Sequence, residues 1–118
     1  MHLVFVYGTL RQGESNHHYL GNAQWLGQET LSAQFAMYDV GEYPAIVAGN
    51  QAIIGDVYRV SDVILAELDE LEEVPFEYRR EQVMTRLGLA WVYLYQNSDV
   101  LQVPIASGDW CTYRKQKK

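Results

Sequence analysis

Two stretches of this sequence hold residue types that could do chemistry. The first is the acidic run LDELEEVP, Leu68 to Pro75, which places Asp69, Glu70, Glu72 and Glu73 in the last turns of a helical pattern. A helix C-terminus carries partial negative charge, so carboxylates there repel the helix end and one another. Repulsion raises their pKa values, and a glutamate titrating near neutrality suits general acid/base catalysis. Glu72 stands apart because it follows Leu68 by four and Asp69 by three, which sets it at the border of the apolar stripe. Glu70 and Glu73 fall further toward solvent. The plainer reading of the run is a solvated acidic face, loosely paired with Arg79 and Arg80, and for a helix taken at random it is the commoner one.

The second stretch is FVYGTLR, Phe5 to Arg11, where an apolar run ends on Gly8. Glycine can take backbone angles that other residues resist. The amides of Thr9 and Leu10 could then converge on an anion, and a nest of this kind holds a carboxylate without a basic side chain. Taken alone, the stretch is a turn after a first strand. Other candidates are weaker. His17 and His18 are adjacent, so their side chains diverge, and they read as surface histidines. Thr9 has no accompanying base pattern that would make it a nucleophile. The three histidines and the lone Cys111 do not form a zinc pattern, and one cysteine cannot close an intrachain disulfide.

The elements that must position these groups can be read from periodicity. LVFVY, residues 3–7, is a short buried strand. A short helix can lie in HHYLGNAQWLG, limited by Gly21 and Gly27. Residues 30–40 and 52–60 read as strands, with Gly55 marking a bulge or a close approach. Residues 41–47 form a turn into another extended piece, because Pro44 biases Tyr43 away from helix. The clearest helix is SDVILAELDELEE, capped by Ser61 or Asp62 and ended by Val74-Pro75. Ile64, Leu65, Leu68 and Leu71 share one of its faces. Residues 78–86 and 90–96 flank Leu87-Gly88-Leu89 as a β-hairpin. Tyr93 and Tyr95 alternate with Trp91 there, a core-packing pattern, and SGDW, Ser107 to Trp110, is a turn anchored by a packed tryptophan. The fold class is α+β: a small, barrel-like mixed β-sheet with a few short flanking helices.

Size and charge bound the rest. With 118 residues, 48% hydrophobic and 13% aromatic, the chain fits one domain, residues 1–118, with one substantial core. Its net charge of -6 argues against nucleic acid, whose phosphates require clustered Lys and Arg. The only basic cluster is YRKQKK at Tyr113–Lys118, and residues 112–118 read as a frayed, solvated tail. No apolar stretch is long enough to span a membrane and there is no signal-peptide core, so a cytoplasmic protein is expected.

Five stretches together resemble the γ-glutamylcyclotransferase-like family, including its small bacterial AIG2-like members: FVYGTLR (5–11), YDVGEYPAIV (38–47), GDVYRV (55–60), LDELEEVPFEYRR (68–80) and AWVYLYQ (90–96). They occur in the family's order and span nearly the whole chain. The resemblance implies a small β-barrel with flanking helices, and a pocket in which Tyr7, Gly8, Thr9 and Leu10 hold the amino-acid head of the substrate. It implies Glu72 as the catalytic acid/base. The family often has Gly after that glutamate, whereas this chain has Glu73, a departure that bears on the local turn and on the aim of Glu72. The implied reaction turns a γ-glutamyl amine or γ-glutamyl amino acid into 5-oxoproline and a free amine, with no metal or organic cofactor. Against this enzyme stands a non-catalytic module binding a small amino-acid-like metabolite in the same pocket. A structural or interaction domain ranks last, having no reason to keep both motifs. Oligomeric state is open.

Overall fold

A computed structural model describes residues 1–116 of the chain. The first strand, β1 (His2–Val6), lies inside the sheet, antiparallel to β4 (Gln51–Val60) on one side and parallel to β6 (Gly88–Tyr95) on the other. A strand covered on both faces needs no polar alternation, which explains the unbroken apolar run. Val4 and Val6 pack under the helix, while Phe5 and Tyr7 face the opposite core.

The sheet order is β3-β2-β4-β1-β6-β5, with β7 (Val103–Pro104) pairing β2 off this path. Strand β2 (Gln24–Asp39) is long enough to serve three neighbours: β4, β3 (Pro44–Ala48) and β7. Its register shifts between Trp25 and Gly27 and again between Leu31 and Phe35. Such irregularities bend a strand and increase its twist, curling the sheet toward a barrel. The Tyr78 hydroxyl, from β5 (Tyr78–Thr85), reaches across to donate to the Pro44 carbonyl at 3.0 Å, joining the two ends of the strand order. Phe5, Leu31, Met37, Ile46, Ile53, Val57 and Trp110 fill the interior. Gly55 is a close approach, as a Cβ there would meet the Phe5 ring at 2.6 Å as well as the Val6 carbonyl.

Helix α1 (Asp62–Leu71) begins as expected, with the Ser61 hydroxyl accepting from the Ile64 amide at 3.2 Å. Leu65 and Leu68 are buried. The helix ends before the proline is reached. Glu73 takes φ 53°, its amide bonds to the Glu70 carbonyl, and the Val74 amide bonds to that of Asp69. That is a Schellman ending, whose left-handed residue is usually glycine. The turn that a glycine would favour is thus kept, with Glu73 in a conformation costly for a side chain.

Two expected boundaries move. The hairpin turns at Arg86-Leu87, closed by Thr85 pairing with Gly88, so Gly88 opens β6 instead of centring the loop. The tail is corrected as far as it is described: Trp110–Gln116 form a second helix, α2, and are not frayed. Trp110 is buried and anchors this helix; Arg114 grips Glu14 through two hydrogen bonds of 2.9 and 2.8 Å, and the Tyr113 hydroxyl donates to Asp39. The charged residues face solvent while the aromatic ones hold the segment down. Residues 117 and 118, the end of the expected basic tail, lie outside the described residues. The expected short helix after His17 is a single 3-10 turn, His17–Leu20.

Candidate active site

A cavity of about 360 Å³ opens between the loop after β1, the segment leading into β3, and the end of α1. Tyr7, Gly8, Thr9, Leu10 and Glu72 all line it, so residues more than sixty positions apart in sequence share one space. The topology brings them together: β1 delivers its C-terminal end to this rim, and α1 packs over the same face of β1 through Leu65 and Leu68.

The loop after Tyr7 is held by its own backbone. The Arg11 amide donates to the Gly8 carbonyl at 3.0 Å and the Asn16 amide to the Thr9 carbonyl at 2.9 Å. The Asn16 side chain donates to the Thr9 hydroxyl. Among the described residues, neither the Thr9 nor the Leu10 amide has a hydrogen-bond partner. Gly8 is expected to take backbone angles that other residues resist, but it is not among the glycines with positive φ. Its glycine is required for a different reason: a Cβ at this position would meet the Pro44 ring at 2.6 and 2.7 Å. The close approach of loop and ring, not an unusual φ, sets the wall here.

Glu72 caps the end of α1. Its pKa is pushed up to about 7, first by burial and then by repulsion from Glu77. The expected cause was crowding by its helix neighbours, but those are otherwise engaged. Asp69 pairs with Arg80 at 2.7 Å and accepts from the Tyr93 hydroxyl at 2.8 Å. Glu70 and Glu73 are exposed. Among the described residues, nothing donates a hydrogen bond to the Glu72 carboxylate. Its carboxylate is without a hydrogen-bond donor, in a cavity lined also by Thr9 and Leu10, whose amides are unpartnered.

Tyrosines form much of the surrounding wall. Tyr7 donates to the Tyr93 carbonyl at 2.7 Å, and burial lifts its pKa well above the ordinary value. Tyr43 donates to Glu77, and that bond with the carboxylate raises its pKa too. These phenols therefore act as fixed donors and do not compete with Glu72 for a proton near neutrality. Tyr43, Glu77 and Tyr78 were not singled out from sequence as site residues. Tyr93 reads from the sequence as core packing and is buried, and it lines the cavity as well. Glu77 sits beyond the end of α1, where no periodic signal marks its direction.

Arg11, the residue after the YGTL run, was also missed. It is buried and bonds to Asp56 on β4 at 2.9 Å and to Asp109 at 3.0 Å. It ties the loop to the sheet and to the turn before α2. His17 and His18 do not line the cavity; His17 bonds to the Leu10 carbonyl at 2.9 Å and packs near Tyr58, and His18 is exposed. Among the described residues no His, Cys, Asp and Glu cluster has the arrangement to hold a metal, and no helix is long and apolar enough to cross a membrane.

Comparison with known proteins adds to this geometry. The family model described as gamma-glutamyl cyclotransferase, AIG2-like, matches residues 4–112. The Escherichia coli K12 gamma-glutamylcyclotransferase family protein YtfP is 44% identical over 108 residues, 91% of this chain and 94% of its own. Its solution structure superposes with a TM-score of 0.76 at 42% identity, covering 95% of this chain and 98% of that one. The gamma-L-glutamyl-butirosin B gamma-glutamyl cyclotransferase of Niallia circulans is 37% identical over 126 residues, 96% of this chain and 78% of its own.

Proposed function

On the premise that this chain belongs to the gamma-glutamyl cyclotransferase, AIG2-like family, we propose that it converts a γ-glutamyl amide into 5-oxoproline and a free amine, with Glu72 as the acid/base. The observation that carries this reading is the placement of Glu72, its pKa raised to about 7, in one cavity with the unpartnered Thr9 and Leu10 amides. In this reading the loop of Tyr7, Gly8, Thr9 and Leu10 holds the glutamyl head, its amides receiving the α-carboxylate. Folding the head back brings the α-nitrogen against its own γ-carbonyl, a proximity effect that replaces a second reactant.

The proton inventory assigns Glu72 its task. The α-ammonium enters with three protons and the lactam nitrogen of 5-oxoproline leaves with one. Two protons must therefore move to the departing nitrogen, which leaves as an ammonium. Glu72 takes the first from the α-ammonium, freeing the lone pair that attacks the γ-carbon. It returns that proton to the leaving nitrogen as the amide C–N bond breaks, then relays the second in the same way. A carboxyl group with a pKa near 7 can do both, since neither protonation state is strongly favoured at neutral pH.

The test is a screen of γ-glutamyl amides with detection of 5-oxoproline, followed by Glu72→Gln on the best substrate. The substitution keeps size and loses proton exchange, so the rate should fall by about 10²–10⁴-fold with ligand binding retained. Equal activity in Glu72→Gln and the parent protein overturns the assignment of Glu72. Should Glu73→Gln be the inactive variant instead, the role belongs to the neighbouring position.

A further inference from the structure

The loop that carries the Thr9 and Leu10 amides, Gly8 to Asn16, is neither helix nor strand. Two amides without a protein partner do not fix their own direction, so what aims them lies elsewhere in the loop. One link is internal: Asn16 donates to Thr9 from both its backbone amide and its side chain. The next link is external. Glu14, two residues earlier, does not line the cavity, and its side chain is only 5% exposed. It lies against α2, where the Arg114 guanidinium donates to both of its carboxylate oxygens, at 2.9 and 2.8 Å. Burial works to raise the Glu14 pKa, yet Arg114, the Cys111 thiol and the Trp110 indole hold it below the ordinary carboxylate value. Asp109, the residue before α2, takes the same loop at a second point, accepting from Arg11 at 3.0 Å. The two points are joined, since the Glu14 amide donates to the Arg11 carbonyl at 3.0 Å.

Resting on the cyclotransferase reading above, we propose that Glu14 and Arg114 are positioning residues for the substrate: neither touches it, and their ion pair clamps the loop to α2 so that the Thr9 and Leu10 amides are in place before the γ-glutamyl head arrives. Ser15 and Asn16, which follow Glu14 directly, line the cavity. A Glu14 released from α2 therefore takes with it the residue that holds Thr9. A loop freed in this way samples other arrangements, and substrate binds only the fraction of molecules that has the loop in place. Ordering the loop then consumes binding free energy that a preorganised loop leaves available. A guanidinium fork suits this task because its two parallel bonds fix direction as well as distance, which the single ammonium of a lysine does not. Burial of Trp110 gives the fork a fixed base, since it anchors α2 in the core. Glu72 belongs to the end of α1 and takes no part in these bonds, so the chemical step is left alone.

Kinetics on the best γ-glutamyl amide from the screen test the clamp in Arg114→Gln, Arg114→Lys and Glu14→Gln. In Arg114→Gln, KM should rise about three- to tenfold, the size of a partly exposed charge pair expressed as a loss of binding-competent molecules. kcat should stay within about twofold, because the base and its surroundings are unchanged. Arg114→Lys keeps the charge without the fork, and its KM should fall between those of the parent protein and Arg114→Gln. Glu14→Gln leaves an acceptor for Trp110 and Cys111, so it tests the pair even where Arg114→Gln folds poorly. The double variant should be no worse than the more affected single one, as expected of two residues that act through one contact. Hydrogen exchange without substrate supplies a readout independent of turnover: amides of residues 8–16 should exchange faster in both Gln variants, with β1 and β4 unchanged. A lower Tm with KM unmoved, or a fall confined to kcat, overturns the clamp and leaves the cyclotransferase intact. A parent protein that turns over no γ-glutamyl amide overturns the cyclotransferase reading, and the clamp with it.

Discussion

Glu72→Gln has a consequence for stability that is separate from its effect on rate. A carboxyl group whose pKa rises on folding binds its proton more tightly in the folded state. Stability is therefore undiminished below the unfolded value, declines as pH rises through the interval between the two values, and is flat at its lower level above the folded one. For Glu72 that interval runs from 4.5 to about 7. At ~1.4 kcal/mol per pH unit the ceiling is about 3 kcal/mol. The side chain lines an open recess and is not sealed from water, so screening brings the expected penalty down to about 1–2 kcal/mol. Gln cannot ionise and escapes it. The variant should gain little at pH 5 and about 1–2 kcal/mol at pH 8.5, or roughly 4–8 °C in Tm for a domain of this size. Thermal unfolding of both proteins at the two pH values, in matched salt, measures the difference. A Tm difference that does not change with pH would mean that Glu72 titrates as an ordinary surface carboxylate, and the reasoning that makes it a base near neutrality would fail. The same titration predicts that kcat/KM of the parent protein rises with pH through about 7 as Glu72 ionises.

Other substitutions test the supporting structure. Gly8→Ala places a methyl group against the rigid Pro44 ring and should cost about 1–3 kcal/mol by denaturant unfolding, with KM raised as the loop is pushed from its place. Arg11→Ala leaves Asp56 and Asp109 without their buried partner and should cost about 3–5 kcal/mol, read as a lower urea midpoint at constant slope. Glu73→Gly relieves the side chain at φ 53° and removes an acid from a helix C-terminus, so Tm should rise by a few degrees; a fall would show that the Schellman ending depends on the Glu73 side chain.

Much of this protein is legible in its sequence because much of it is decided by near neighbours. An unbroken apolar run of five residues can only be a strand buried on both faces or a piece of buried helix, and the Gly8 that follows favours the strand. Ser61 announces the start of α1, and the spacing of Leu65 and Leu68 fixes which side of the helix faces the sheet. From that side alone Glu72 falls at the border of the buried stripe while Glu70 and Glu73 fall outside it, as the structure has them. Local pattern also carries the five stretches that together resemble the family.

What required the tertiary structure is everything that depends on segments distant along the chain. Gly8 is needed because Pro44, thirty-six residues later, packs against it, and no local rule about glycine contains that fact. The pKa of Glu72 is set by burial under the assembled fold and by Glu77 beyond the turn, not by the adjacent acids that the sequence makes conspicuous, since Asp69 is taken up by Arg80 and Tyr93 from the hairpin. The basic end reads as a loose tail because lysines and arginines dominate its composition, yet the burial of Trp110 and the grip of Arg114 on Glu14 make most of it a helix. Helix and strand periodicities register only which side of an element is apolar. Desolvation, charge pairing and the shape of a cavity depend on which elements meet, and that is decided when the curled sheet brings the end of β1 and the end of α1 to the same rim.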